Sequence, residues 1–103
     1  MERRKFTKMR TGRQSYEMQG LIFFLAGNYK HLPPELREIV RASCRAAAGQ
    51  SGNEDALLEY MTQGKSKVAV MMKYYIGSAT TLDRMVRVFF VEMERRLTEA
   101  WKR

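Results

Sequence analysis

Thr80, Arg84 and Arg87 stand at i, i+4 and i+7, a spacing that puts all three on one face of a helix. Those side chains are suited to hydrogen bonding with a polyanion. An arginine fork can grip a phosphate, or the O6 and N7 of a guanine, through two parallel bonds. A threonine can donate to a phosphate or lay its methyl against a thymine. Leu82, Met85, Val86 and Phe89 fall on the opposite side, so one helix can bury one face and offer the other. Ala79, Thr81 and Asp83 complete its opening turns. Exposed arginines are common on solvated helices, so the constellation gains weight only from what surrounds it.

Lys65, Lys67 and Lys73 lie just upstream, in a stretch (residues 60–78) that holds no acidic residue. Phosphate contacts would be expected from such flanking lysines. The chain has 103 residues and a formal net charge of +8, and the charge is unevenly spread. Residues 1–19 are net +4, residues 20–59 net −1, residues 60–78 net +3 and residues 79–103 net +2. A basic balance favours DNA, RNA or an anionic surface as partner. Residues 1–13 lack a sustained apolar period and contain Gly12, and they read as a flexible basic arm. Its Arg3, Arg4, Lys5, Lys8 and Arg10 could track a groove next to the main contact, or form a solvated tail and nothing more.

Other chemistry is poorly provided for. The carboxylates fall mostly on outer helix faces beside arginines, as ordinary surface pairs. Glu54, Asp55, Glu92 and Glu94 have no histidine or metal cluster to work with. His31, the only histidine, precedes a double proline and lacks the partners that would give it a role. Cys44, the only cysteine, falls within a core-facing helical pattern and reads as a buried thiol. One cysteine and one histidine exclude a disulfide framework and a Cys- or His-rich metal site within the chain, and fit a reducing cytoplasm. Gly77-Ser78 lacks the remaining glycines and the lysine of a phosphate-binding loop. The expectation is a non-enzyme with no cofactor, no metal and no small-molecule substrate. The longest apolar run, residues 21–26, is far short of the about 20 residues a membrane span needs, so no membrane role is expected.

The elements that must position these residues are helical throughout. The apolar fraction of 45% is that of a folded chain. A first helix is predicted over residues 14–26, where Met18, Leu21, Ile22 and Leu25 recur at helical spacing and Gly27-Asn28 stops it. A second begins at Pro33-Pro34 and ends at the GQSG of residues 49–52. A third spans residues 54–63, capped by Asn53 and closed by Gly64. A fourth spans residues 67–75, capped by Ser66. The fifth runs over residues 81–101, with Thr80 as cap and Asp83 completing a capping box. Its stripe of Leu82, Met85, Val86, Phe89, Phe90, Met93, Leu97 and Trp101 is longer than one small core needs. The prediction is therefore an all-α fold of about five helices: an arm over residues 1–13, then a single helical domain over residues 14–103 ending in a long last helix.

One stretch, VAVMMKYYIGSATTLDRMVRVFF, resembles the helix-turn-helix of bacterial regulators. Ile76, Gly77-Ser78, Thr80-Thr81, Leu82 and Arg84 take the places of the closing aliphatic, the tight turn, the hydroxyl-rich start, the next aliphatic and the arginine. Met71 stands where a small residue is usual, and the interval from Ile76 to Leu82 is one residue longer than the common pattern. In layout the whole chain is similar to small helix-turn-helix proteins of bacterial phages and integrative elements, through LIFFLAGNYKHLP, CRAAAG and the C-terminal motif at about residues 66–90.

The resemblance implies a cytoplasmic DNA-binding protein that regulates transcription on a mobile element. Double-stranded DNA would be its partner, contacted by Lys65, Lys67, Lys73, Thr80, Thr81, Arg84 and Arg87. A homodimer through Phe90, Met93, Leu97 and Trp101 would match a two-fold operator. The alternative is a helical protein-interaction module that does not bind DNA, using its eight methionines and the aromatic stripe as an adaptable surface. Structured RNA is a third option, favoured by charge alone.

Overall fold

The computed structural model describes residues 14–102. Five α-helices follow one another: α1 (Tyr16–Gly27), α2 (Pro34–Ala48), α3 (Glu54–Gln63), α4 (Lys67–Lys73) and α5 (Ala79–Trp101). A single 3-10 turn over Tyr29–His31 links α1 to α2. There is no strand among the described residues, and the all-α fold with its long last helix is the one the periodicity predicts. The residues expected to form the basic arm, Arg3, Arg4, Lys5, Lys8 and Arg10, lie outside the described residues.

Local signals account for most helix ends. Ser15 and Ser66 each accept a hydrogen bond from the backbone N–H three residues on, at Met18 (3.0 Å) and Ala69 (3.1 Å), which satisfies a donor the helix cannot. Pro34 opens α2 where a missing N–H costs nothing. Gly64 closes α3 in the left-handed conformation, with φ 68°. Two ends differ from the sequence pattern. Asn53 precedes α3, but its side chain makes no capping bond. α5 begins two residues earlier than predicted, with Ser78 rather than Thr80 at the cap position. With the cap at Ser78, Asp83 lies two residues beyond the capping-box position, and its carboxylate instead pairs with Lys67 at 2.7 Å.

Every α-helix contributes to one hydrophobic cluster. α2 and α5 pack together most extensively and form its spine. Val40, Cys44 and Ala48 on α2 are buried, as are Leu82, Phe89, Phe90 and Met93 on α5. α1 supplies Ile22 and Ala26, α3 supplies Ala56, Leu57, Tyr60 and Met61, and α4 supplies Val70 alone. Gln14 ties the start of α1 to α5 by donating to Phe90 O (3.0 Å) and Glu94 Oε1 (2.8 Å).

The burial of α5 corrects the expected dimer surface. Phe90, Met93 and Leu97 are 3%, 0% and 5% exposed, so they are already covered within the chain's own core. Trp101 is 80% exposed and is the one member of that set left at the surface. The stripe serves four other helices of the same chain, each of which contacts α5.

Candidate nucleic-acid interface

α5 positions the arginine face. Its buried stripe of Leu82, Met85, Val86, Phe89, Phe90 and Met93 fixes the helix about its own axis. Thr80, Arg84 and Arg87 are thereby turned to the opposite side, and all three are exposed, as is Thr81. Neither Arg84 nor Arg87 forms an ion pair with a described residue. Farther along α5 the arginines are engaged: Arg95 and Arg96 both donate to Glu92 Oε1, Arg95 at 2.8 Å. On α2, Arg45 reaches Glu38 and Glu54, each at 3.6 Å, while Arg37 and Arg41 are unpaired among the described residues.

The lysines meet a different fate. Glu59, on the core-facing side of α3, has a side chain only 8% exposed. Its Oε1 accepts from Lys73 Nζ (2.8 Å) and from the Tyr74 hydroxyl (2.9 Å), and its Oε2 accepts from Lys65 Nζ (2.9 Å). Lys73 also lies 5.4 Å from the centre of the Tyr74 ring. A carboxylate this sheltered is tolerated because both oxygens are filled by charged donors. The hydrogen bonds from Lys73 and then Lys65 outweigh burial and hold its pKa at about 2, below the usual 4.5. Lys67 is paired with Asp83 across the α4–α5 junction. Three lysines thus face two carboxylates, and the acid-free stretch of the sequence takes its counter-charge from α3 and α5.

Glu59 and Tyr74 are residues that sequence reasoning overlooked. Glu59 follows Ala56 by three positions and precedes Tyr60 by one, so it belongs to the inward stripe of α3. That register was the available signal. A cleft of about 310 Å³ opens beside it, bordered by Tyr29, Lys30, Asp55, Leu58 and Tyr74. Since both Glu59 oxygens are already taken, the cleft has no spare buried base. No group of three His, Cys, Asp or Glu side chains suited to a metal occurs among the described residues. Cys44 is fully buried, and burial, helped by the negative charge of Glu54, pushes its thiol up to about 12. It is a packing residue and a poor nucleophile. His31 is exposed at the end of the 3-10 turn.

The connection between α4 and α5 holds a second overlooked feature. Tyr74 is the C-cap of α4, and the Ile76 N–H donates back to Met71 O at 2.9 Å. That closing bond puts the residue between them in the left-handed region, a place usually taken by glycine. Here it is Tyr75, with φ 57° and a side chain 94% exposed. A non-glycine residue there costs about 1–2 kcal/mol. Tyr75→Gly should stabilise the fold by about 0.5–1 kcal/mol once the added freedom of the unfolded chain is subtracted. The urea midpoint should rise, and a lower midpoint would contradict the strain.

Val68 and Met72 continue the exposed apolar surface of α4, at 65% and 74%. No helix among the described residues is long and apolar enough to cross a membrane. No family model, no curated protein and no solved structure matches the chain.

Proposed function

We propose that this chain is a non-catalytic DNA-binding protein, a transcriptional regulator of the kind carried by phages and mobile elements. In this reading α4 and α5 act as a helix-turn-helix and α5 enters the major groove. The observation that carries the reading is the state of Arg84 and Arg87. Both are exposed in the opening turns of α5, on the side away from the core, and neither is neutralised by a described residue. A cation left unpaired on a rigid, packed helix is free to take a phosphate or a guanine edge without first breaking a bond. Thr80 and Thr81 stand beside them. The Lys67–Asp83 pair fastens α4 to the first turns of α5 and removes the acid that would otherwise repel DNA there.

The roles within the site are unequal. Lys65, Lys67 and Lys73 each hold a carboxylate, so a phosphate contact from any of them means exchanging or sharing that partner. Arg84 and Arg87 therefore carry the larger share of affinity. In fluorescence anisotropy with the duplex flanking the protein's own gene, the Arg84→Ala, Arg87→Ala double variant should bind about tenfold or more weakly. Its helical signal should match the wild type. The specific complex should persist against competitor DNA at salt concentrations that strip non-specific binding. Unchanged affinity in the double variant would rule out α5 as the reading helix.

The rival reading is a helical protein-interaction module. It is favoured by Val68, Met72 and Tyr75, three exposed apolar side chains on and just after α4. Under that reading the wild type shows no duplex binding beyond salt-labile attraction.

A further inference from the structure

The outward side of α5 carries methyl groups where a solvated helix usually carries lysine and glutamate. From residue 79 to residue 91 its exposed side chains are one alanine, two threonines, two arginines and two valines. Val88 is 38% and Val91 51% exposed, and neither belongs to the hydrophobic cluster. Val88 follows Arg84, and Val91 follows Arg87, by four residues. Each valine therefore lies about 6 Å along the axis, one turn beyond an arginine and on the same side. Valine is a poor choice for such a position, since its branched side chain loses rotamer freedom in a helix and much of it here faces water. The one carboxylate of residues 79–91, Asp83, is held by Lys67, and the next along the helix, Glu92, is held by Arg95 and Arg96.

We infer that Val88 and Val91 read thymine through its C5-methyl group in the major groove of duplex DNA. The inference rests on α5 being the reading helix, and it adds a base preference to the contacts of the arginines. The groove floor offers acceptors at guanine O6 and N7 and an apolar methyl at thymine. It therefore matches a face on which arginine and valine alternate turn by turn. Charge separates this partner from an apolar protein surface. Any surface that covers the valines also covers Arg84 and Arg87, which have no carboxylate partner among the described residues. A cation taken out of water must be paired, and an apolar surface supplies no anion. Duplex DNA supplies the anion and the methyl together. Duplex RNA does not supply the methyl: uracil lacks it, and the A-form major groove is too deep and narrow for side chains to read.

Deoxyuridine in place of thymidine removes the methyl and leaves the pairing edge intact, which gives a direct test. The probe is the duplex flanking the protein's own gene, prepared once with thymine and once with uracil, and titrated with the full chain by fluorescence anisotropy. The wild type should bind the uracil duplex about fourfold or more weakly, the fold-change for uncovering one methyl. The Val88→Ala, Val91→Ala double variant should bind both duplexes alike, near the wild type's affinity for the uracil form, with its helical signal retained. The Arg84→Ala, Arg87→Ala variant should be weaker than the wild type on the thymine duplex. A wild type indifferent to the methyl overturns the inference, while the loss in the arginine variant still leaves α5 as the reading helix. An arginine variant that binds like the wild type, or a wild type that binds neither duplex, sinks the reading helix and the inference together. Equal losses on uracil in the wild type and the valine variant also overturn it, by assigning the methyl's effect to duplex shape. So does tighter binding to the same sequence as duplex RNA.

Discussion

Phe89→Ala should lower the free energy of unfolding by about 3–5 kcal/mol, the range for deleting a fully buried aromatic. Phe89 is 0% exposed and is the largest side chain in the core with no contact to water. Its ring meets that of Phe90 edge to face, with centroids 5.8 Å apart and planes at 81°, so the substitution removes a favourable ring contact as well as buried surface. The site lies midway along α5, the helix that packs against each of the other four. Those backbones are each fixed by their own hydrogen bonds, so the cavity can close only in part. Against a total of about 5–15 kcal/mol for a domain of this size, the variant should lose a large share of its stability. Chemical denaturation followed by helical circular dichroism gives the value, and a loss under about 1 kcal/mol would show that the core tolerates the void. Val88→Ala, one residue away and 38% exposed, supplies the contrast and should cost well under half as much.

Removal of Glu59 should be the second large effect. Glu59→Ala leaves Lys65 and Lys73 without their acceptor and the Tyr74 hydroxyl without its bond. Breaking a fully buried pair costs about 3–5 kcal/mol. Here the lysine side chains are 39% and 54% exposed and can turn back to water, which brings the expected loss nearer 2 kcal/mol. Its location matters more than its size. α4 has seven residues, far below the about 12–15 that an isolated helix needs, and it buries only Val70. Lys73 and the adjoining Tyr74 hold its end to α3 through Glu59. Amide exchange should therefore accelerate first in α4, ahead of α2 and α5. Uniform acceleration across all five helices would refute the clamp.

Acid should do reversibly what the substitution does permanently. The folded pKa of Glu59, about 2, lies below its usual 4.5. The carboxylate therefore binds its proton more readily in the unfolded chain. Its stabilising contribution is complete above pH 4.5 and is lost as pH falls from there towards 2. Glu92, lowered by Arg95 and Arg96, contributes in the same sense. The stability of Glu59→Gln should thus fall less steeply than that of the wild type over this window, without becoming flat.

The helices were legible because their signals are local. Ser15, Pro34, Gly64 and Ser66 act on backbone groups within four residues, and the stripe of α5 repeats at three and four. The departures arise at helix ends that close in another register. Asp83 would have completed a capping box had Thr80 been the cap, but α5 starts two residues earlier and Lys67 pairs with the carboxylate instead. α4 was expected to run through residue 75 and stops at Lys73, because the Met71–Ile76 bond turns Tyr75 left-handed. Nothing in the residue types announces this, since tyrosine is not a residue that favours such a turn.

The same division holds for the candidate site. By itself the sequence determined that Thr80, Arg84 and Arg87 share a face opposite Leu82 and Phe89, because helical geometry fixes that relation wherever the helix lies. It also determined the net charge. Tertiary structure alone decided which of those charges are available. In the sequence Lys65, Lys67 and Lys73 look like the freest cations, with no acid among residues 60–78. Folding brings Glu59 against two of them and Asp83 against the third, while Arg84 and Arg87 stay unpaired among the described residues. Coulomb attraction depends on distance through space, and a chain that folds back on itself sets that distance independently of separation along the sequence.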